Sequence, residues 1–180
     1  YLAKLCCSLR NQGRDEDKQW LSHVRLGWNY RMDEMSAALG IAQLERIDDI
    51  LLRRHTAASR YVEKLRQLPG IVLPYSDPRA KMSWFVFVVR FTDSGSRDRV
   101  MRYLTANGIG CRPYFVPIHL QPYYRERFGY REGDFPVTER VSAGTLAIPF
   151  YNTISEEQMD LVVETIREAK VAGEREVMSL

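Results

Sequence analysis

The chain has 180 residues, 45% of them hydrophobic and 27% charged, so it can bury a real core and needs neither disulfides nor a structural metal to hold together. Its 26 Lys and Arg against 23 Asp and Glu leave a formal charge of only +3, too small and too evenly spread to demand nucleic acid or a membrane surface as partner. Three unpatterned cysteines, and no apolar run longer than Trp84 to Val89 where a membrane span needs about twenty residues, point to a reduced, cytoplasmic setting.

In chain order, residues 1–11 read as the end of a helix, apolar at Leu2, Leu5, Cys6 and Leu9 and stopped at Asn11-Gln12-Gly13. It has neither an initiating Met nor an N-cap before it, so it reads as the continuation of a longer chain. From Arg14 to Arg31 isolated bulky groups stand among charges with no period, which predicts a long ordered loop. One apolar stripe then runs from Met35 through Leu39, Ala42, Ile47, Ala57, Tyr61 and Leu65 to Leu68, ended by Pro69-Gly70. As one helix it would be roughly 54 Å long, against a diameter of roughly 40 Å for a compact domain of this size, so the reading is a helix bent at Gly40 or bridging to another part of the protein.

Beyond Gly70 a short strand (71–73) is followed by the β-rich run Trp84–Phe91, which suits a central strand covered on both faces. A helix capped by Ser96 ends at Asn107-Gly108, and an edge strand covers 109–115, held to the edge by Pro113. Residues 116–134 read as an aromatic- and proline-rich loop with room for one helical turn, 137–144 as a short helix and 146–150 as a strand. A last amphipathic helix spans 155–172, with a frayed tail over 173–180. The fold class is α+β: a long linking helix, then a small, mostly antiparallel sheet flanked by helices. The expected divisions are 1–69, 70–172 and 173–180.

No dinucleotide fingerprint, phosphate loop, metalloprotease motif or nucleophile elbow is present. Three segments depart from plain packing chemistry. Asn29 and Arg31 stand among Trp28 and Tyr30 just before a helix N-terminus, where an anion such as phosphate is favoured; the alternative is a capping Asn and a solvated Arg. Between Cys111 and Tyr124 lie Arg112, Tyr114 and His119 with two more phenols, on a segment stiffened by three prolines. That inventory suits a polyhydroxyl or phosphorylated ligand, and equally a surface loop whose rings cover the core. The third segment is the charged loop with Trp20 and His23.

Leu9-Arg10-Asn11-Gln12-Gly13, then Leu26-Gly27-Trp28-Asn29-Tyr30-Arg31-Met32, then Pro117-Ile118-His119-Leu120-Gln121-Pro122-Tyr123, then Phe135-Pro136 and Leu146–Tyr151 occur in an order that resembles the DegT/StrS family of sugar aminotransferases. The resemblance runs from residue 1 to about 170. It implies the C-terminal part of a fold-type I enzyme that uses pyridoxal 5'-phosphate to move an amino group from an amino acid, usually glutamate, onto a keto-sugar nucleotide. It implies a homodimer with the active site at the subunit interface. On that basis Asn29, Tyr30 and Arg31 would meet the partner subunit's cofactor. Tyr114 and His119, with Arg112, His23 and Trp20, would face the sugar nucleotide. The resemblance also implies that the Schiff-base lysine lies upstream of the position that Tyr1 matches, and none of Lys4, Lys18, Lys64, Lys81 and Lys170 stands in a setting that would bury and deprotonate it. No catalytic residue is therefore expected in this chain, which alone should be inactive. A non-catalytic regulatory or scaffolding relative is the alternative; an Arg-rich nucleic-acid module is disfavoured by the low net charge.

Overall fold

The computed structural model describes residues 1–14 and 22–178, and it falls into two compact units, Tyr1–Ile47 and Asp48–Leu180. Trp20 lies outside the described residues.

In the first unit α1 (Leu2–Arg10) ends where Gln12 and Gly13 take positive φ values of 60° and 75°. That turn sends the chain out and lets it return antiparallel to its own start. Trp28 N donates to Leu9 O at 2.7 Å, Tyr30 N to Arg10 O at 2.9 Å, and Val24 N to Gly13 O at 2.9 Å. The two passes touch at a pair of glycines: a Cβ on Gly27 would stand 2.1 Å from Gly13 N, and one on Gly13 1.8 Å from Arg25 O. Only glycine permits this crossing. The next helix, α2 (Glu34–Leu44), is N-capped by Asp33, whose carboxylate accepts from Ser36 N at 2.9 Å.

The single long helix expected over 33–68 is two helices. α2 stops at Leu44 and α3 runs from Ile47 to Leu65, so the break falls at Glu45-Arg46 and not at Gly40, which lies inside α2. Asp48 and Asp49 sit in the first turn of α3, where acid complements the exposed N–H groups of a helix start.

The second unit is built on one antiparallel sheet in the order β1-β2-β4-β3, from β1 (Ile71–Val72), β2 (Phe87–Phe91), β3 (Arg112–Pro113) and β4 (Thr145–Ile148). Phe87 pairs with Ile148 and Val89 with Leu146, which places these four side chains on one buried face. That face carries stripes from three helices: Ala57, Ala58, Tyr61 and Leu65 of α3, Val100 and Leu104 of α4 (Ser94–Ala106), and Met159, Val162, Ile166 and Ala169 of α7 (Glu156–Met178). Each large side chain buried there contributes about 1.5–3 kcal/mol. The Tyr61 hydroxyl, carried into this core, donates to Pro149 O at 2.9 Å, and burial pushes its phenol well above the ordinary range. At the rim, Lys64 meets Asp160 at 2.6 Å and Glu156 at 3.1 Å, tying α3 to α7.

Several local expectations change. The β-rich run pairs only from Phe87, because Trp84 takes a positive φ of 49° and bends the chain; β2 is fully buried on one face and half-buried on the other. The cap of α4 is Asp93, which accepts from Ser96 N at 2.6 Å, rather than Ser96 itself. The edge strand shrinks to Arg112–Pro113, and residues 118–128 fold into a 3-10 turn (Ile118–Leu120) and α5 (Pro122–Phe128). α6 (Pro136–Gly144) leads into β4. α7 continues through Gly173 to Met178 where a frayed tail was expected, with the end of the Arg99 side chain lying against Gly173. α3 ends at Leu65, and the Pro69-Gly70 turn follows it within the second unit.

Candidate active site

The residues singled out from the sequence lie in two places. In the first unit, Asn29, Tyr30 and Arg31 follow the glycine crossing and precede the Asp33 cap of α2. All three are exposed; Arg31 Nε donates to Asn29 Oδ1 at 3.0 Å, and the Tyr30 ring stacks on Trp28 with centroids 5.9 Å apart. The start of α2 is not an open anion site, because the Asp33 carboxylate already occupies it; the Ser36 N–H and hydroxyl hold that carboxyl below its ordinary range. What remains for an anion is the Asn29 amide N–H groups and the outer face of the Arg31 guanidinium. His23 is exposed, with Nδ1 2.8 Å from Gln12 O.

In the second unit, a cavity of about 690 Å³ is lined by Tyr114, His119, Tyr124, Tyr130, Phe135 and Ser142 among others. His119 is 7% exposed, clamped between Phe135 at 4.7 Å and Tyr130 at 6.3 Å between ring centroids. Its Nε2 lies 2.9 Å from Glu139 Oε1. Glu139 also accepts from Gly133 N, at 3.0 and 2.9 Å to its two oxygens, and from Phe135 N at 3.2 Å. The Gly133 N–H above all, then His119, holds this carboxyl below its ordinary range. With Nε2 donating to the carboxylate, the neutral ring keeps Nδ1 as an acceptor. Tyr114 is fixed from behind, its carbonyl accepting from Thr145 Oγ1 at 2.7 Å.

Tyr114 and His119, expected together, share this cavity. Arg112 does not line it: it sits exposed on edge strand β3, with Nη1 3.3 Å from Cys111 O. Sequence reasoning missed Glu139, Tyr130, Phe135, Thr138 and Ser142. The available signal was the acid three residues after Pro136 in the first turn of α6, which reads as a helix-start preference and says nothing of a histidine twenty residues away.

The donors for a phosphate are thus present in the first unit, but a lysine for covalent attachment is not among the described residues. Lys64 is held charged, its ammonium raised by Asp160 and then Glu156; Lys81 lies 3.5 Å from Asp48 on an exposed surface; Lys4 is exposed and Lys170 half-buried. The residues fit the phosphate end of pyridoxal 5'-phosphate and not its aldehyde end.

An antiparallel four-stranded sheet with helices packed on one face, entered through a helix that follows an Asn-Tyr-Arg segment, is the small-domain architecture of fold-type I sugar aminotransferases. The chain belongs to the DegT/DnrJ/EryC1/StrS aminotransferase family, whose model matches residues 1–167. It is 36% identical over 92% of its length to the erythromycin biosynthesis sensory transduction protein EryC1 of Saccharopolyspora erythraea, and 33% identical over 79% to the spore coat polysaccharide biosynthesis protein SpsC of Bacillus subtilis. It superimposes on DesV of S. venezuelae, solved in complex with a ketimine intermediate, with a TM-score of 0.81 and 34% identity over 93% of the chain. The chain spans 44%, 38% and 43% of those three proteins, respectively.

Proposed function

We propose that this chain serves in a pyridoxal 5'-phosphate-dependent sugar aminotransferase that moves an amino group from an amino acid, with glutamate as donor, onto a keto-sugar nucleotide. The observation that carries the reading is the pairing, in one family member, of an exposed Asn29–Arg31 donor segment with a cavity built around a buried, carboxylate-paired histidine. When bound, the cofactor supplies a carbonyl for amine exchange and an electron-withdrawing ring. Asn29 and Arg31, with Tyr30 beside them, hold its phosphate. His119 and Tyr114 face the sugar, where Nδ1 of His119 accepts a hydroxyl proton and the surrounding rings exclude water; Arg112, His23 and Trp20 stand as outer contacts of the nucleotide. The lysine that anchors the cofactor is supplied by another part of the enzyme, and the 180 residues alone are inactive.

The working form is a cytoplasmic homodimer with each cofactor at the subunit interface. Supporting this, α2 has no buried residue, with Met35 83%, Leu39 64%, Ile41 59% and Leu44 68% exposed, an apolar surface suited to a second copy. No described helix is long and apolar enough to cross a membrane.

The test is cofactor retention in the intact protein, followed by the visible absorbance of bound pyridoxal phosphate during dialysis. Asn29→Ala should lose the cofactor roughly tenfold faster than the parent, as expected for one lost charge-assisted hydrogen bond. Unchanged retention removes Asn29 from the phosphate site. A parent protein that binds no pyridoxal phosphate favours the second reading, a non-catalytic family member.

A further inference from the structure

Glu139 stands one turn into α6, and three donors converge on its Oε1: Gly133 N at 3.0 Å, Phe135 N at 3.2 Å and His119 Nε2 at 2.9 Å. Its Oε2 accepts from Gly133 N at 2.9 Å. Helix capping accounts for only part of this, since an acid that reaches back to the Phe135 N–H serves the start of α6 alone. The histidine is left over.

An ionised carboxylate oxygen only accepts, so the buried ring must present Nε2–H to it, and the nitrogen left for whatever fills the cavity is Nδ1. The same oxygen holds the ring's surroundings. Residues 129–135 carry Tyr130 and Phe135, the two rings against His119, and their backbone is tied to Glu139 through Gly133 and Phe135. On its outer side this segment is open: Gly129 and Gly133 take φ values of 74° and 94°, and a Cβ on either would meet nothing within 4 Å. We propose that Glu139 is the positioning residue of the aromatic cavity, setting His119 through Oε1 so that the cavity offers Nδ1 as an acceptor and selects a ligand that brings a hydroxyl donor to it. The inference rests on reading this cavity as the sugar site, where a polyhydroxyl ring supplies that donor. The apolar walls sharpen the choice, because an acceptor shut away from water and left without a donor forfeits its whole solvation.

The probes are phenol and anisole, which share a ring suited to an aromatic cavity of about 690 Å³ and differ in one O–H donor. They are titrated into the intact protein carrying isotope-labelled histidine, at about pH 8, where an ordinary imidazole is neutral. The ring resonances of His119 are those lost in His119→Gln. The parent should carry a proton on Nε2 and none on Nδ1, and phenol should shift the Nδ1 resonance and bind roughly tenfold more tightly than anisole, the worth of one hydrogen bond. Glu139→Ala should lose that preference and let the ring exchange between its two neutral forms, as the exposed His55 does. Glu139→Gln, which keeps an oxygen in place, should restore both. A residue that merely capped α6 would lower the melting temperature when replaced and leave the preference for phenol unchanged. A proton on Nδ1 in the parent would overturn the proposal, and so would binding of neither probe or equal binding of both. It would equally fall if Glu139→Ala kept the parent's ring form and preference, or if Glu139→Gln rescued nothing. The parent measurements decide even where Glu139→Ala fails to fold. None of them involves amino transfer, so a protein that retains no pyridoxal phosphate would fail the proposed function and leave this result standing.

Discussion

In the aromatic cavity of the second unit the polar groups are already matched within the chain. His119 is bound to Glu139, Glu139 to two backbone N–H groups, and the Tyr114 carbonyl to Thr145. In the first unit Asn29, Tyr30 and Arg31 are exposed, held through the backbone and one side-chain hydrogen bond, near cations that form no ion pair among the described residues. The contrast separates two ways of making a site. The second unit fixes the shape of its cavity in advance; the first positions donors whose acceptors among the described residues are neutral groups.

The largest effect should come from opening the core of the second unit. Phe87→Ala removes a fully buried ring that packs on Tyr61, Trp84 and Phe150, and should cost about 3–5 kcal/mol in the second unit. The check is chemical denaturation followed by far-UV circular dichroism. A loss below about 1 kcal/mol would show that this core repacks freely.

Next in size is the charge at Glu139. Because its folded pKa lies below the ordinary value of 4.5, its contribution to stability is complete at neutral pH and fades as pH falls through the folded pKa. Glu139→Gln keeps the shape and removes the charge. The melting temperature of the parent should therefore exceed that of the variant at pH 7, and the difference should close below pH 4.5. A gap that stays constant from pH 7 to pH 3 would mean that the carboxylate is not what holds the loop from Gly133 to Phe135 against His119.

Both regions were partly legible from residues alone, and for reasons that differ. The helices over 2–10 and 136–144 and the paired strands around Val89 and Leu146 follow from apolar spacing and from Gly and Pro punctuation, which are local signals. The break between α2 and α3 carries neither Gly nor Pro, and Glu45 keeps helical angles of −59° and −25°, so periodicity runs straight through it. α5 was hidden by two prolines and the rings around it, although Pro122 at the first helical position is a start signal. For the site, Asn29, Arg31 and His119 were visible as residue types. The pairing of His119 with Glu139 and the convergence of Lys4, Arg10, Arg14, Arg25 and Arg31 were not, because both arise from chain reversals that no local pattern encodes.

The smallest effect tests how far local chemistry alone sets the frame. Asp93 caps α4 by accepting from Ser96 N at 2.6 Å, and that N–H lowers its carboxyl pKa most. Asp93→Ala should cost about 1 kcal/mol, and Asp93→Asn, which keeps an acceptor, much less. Thermal melts of the two variants separate the cap from the charge. Equal losses would mean that the negative charge near Lys170 and Arg99 matters more than the cap, since both substitutions remove it. Either way the change falls on the frame of the second unit, whereas the side-chain contacts of the Asn29–Arg31 segment, Arg31 on Asn29 and Tyr30 on Trp28, lie on an exposed surface where their loss should shift a melting temperature less.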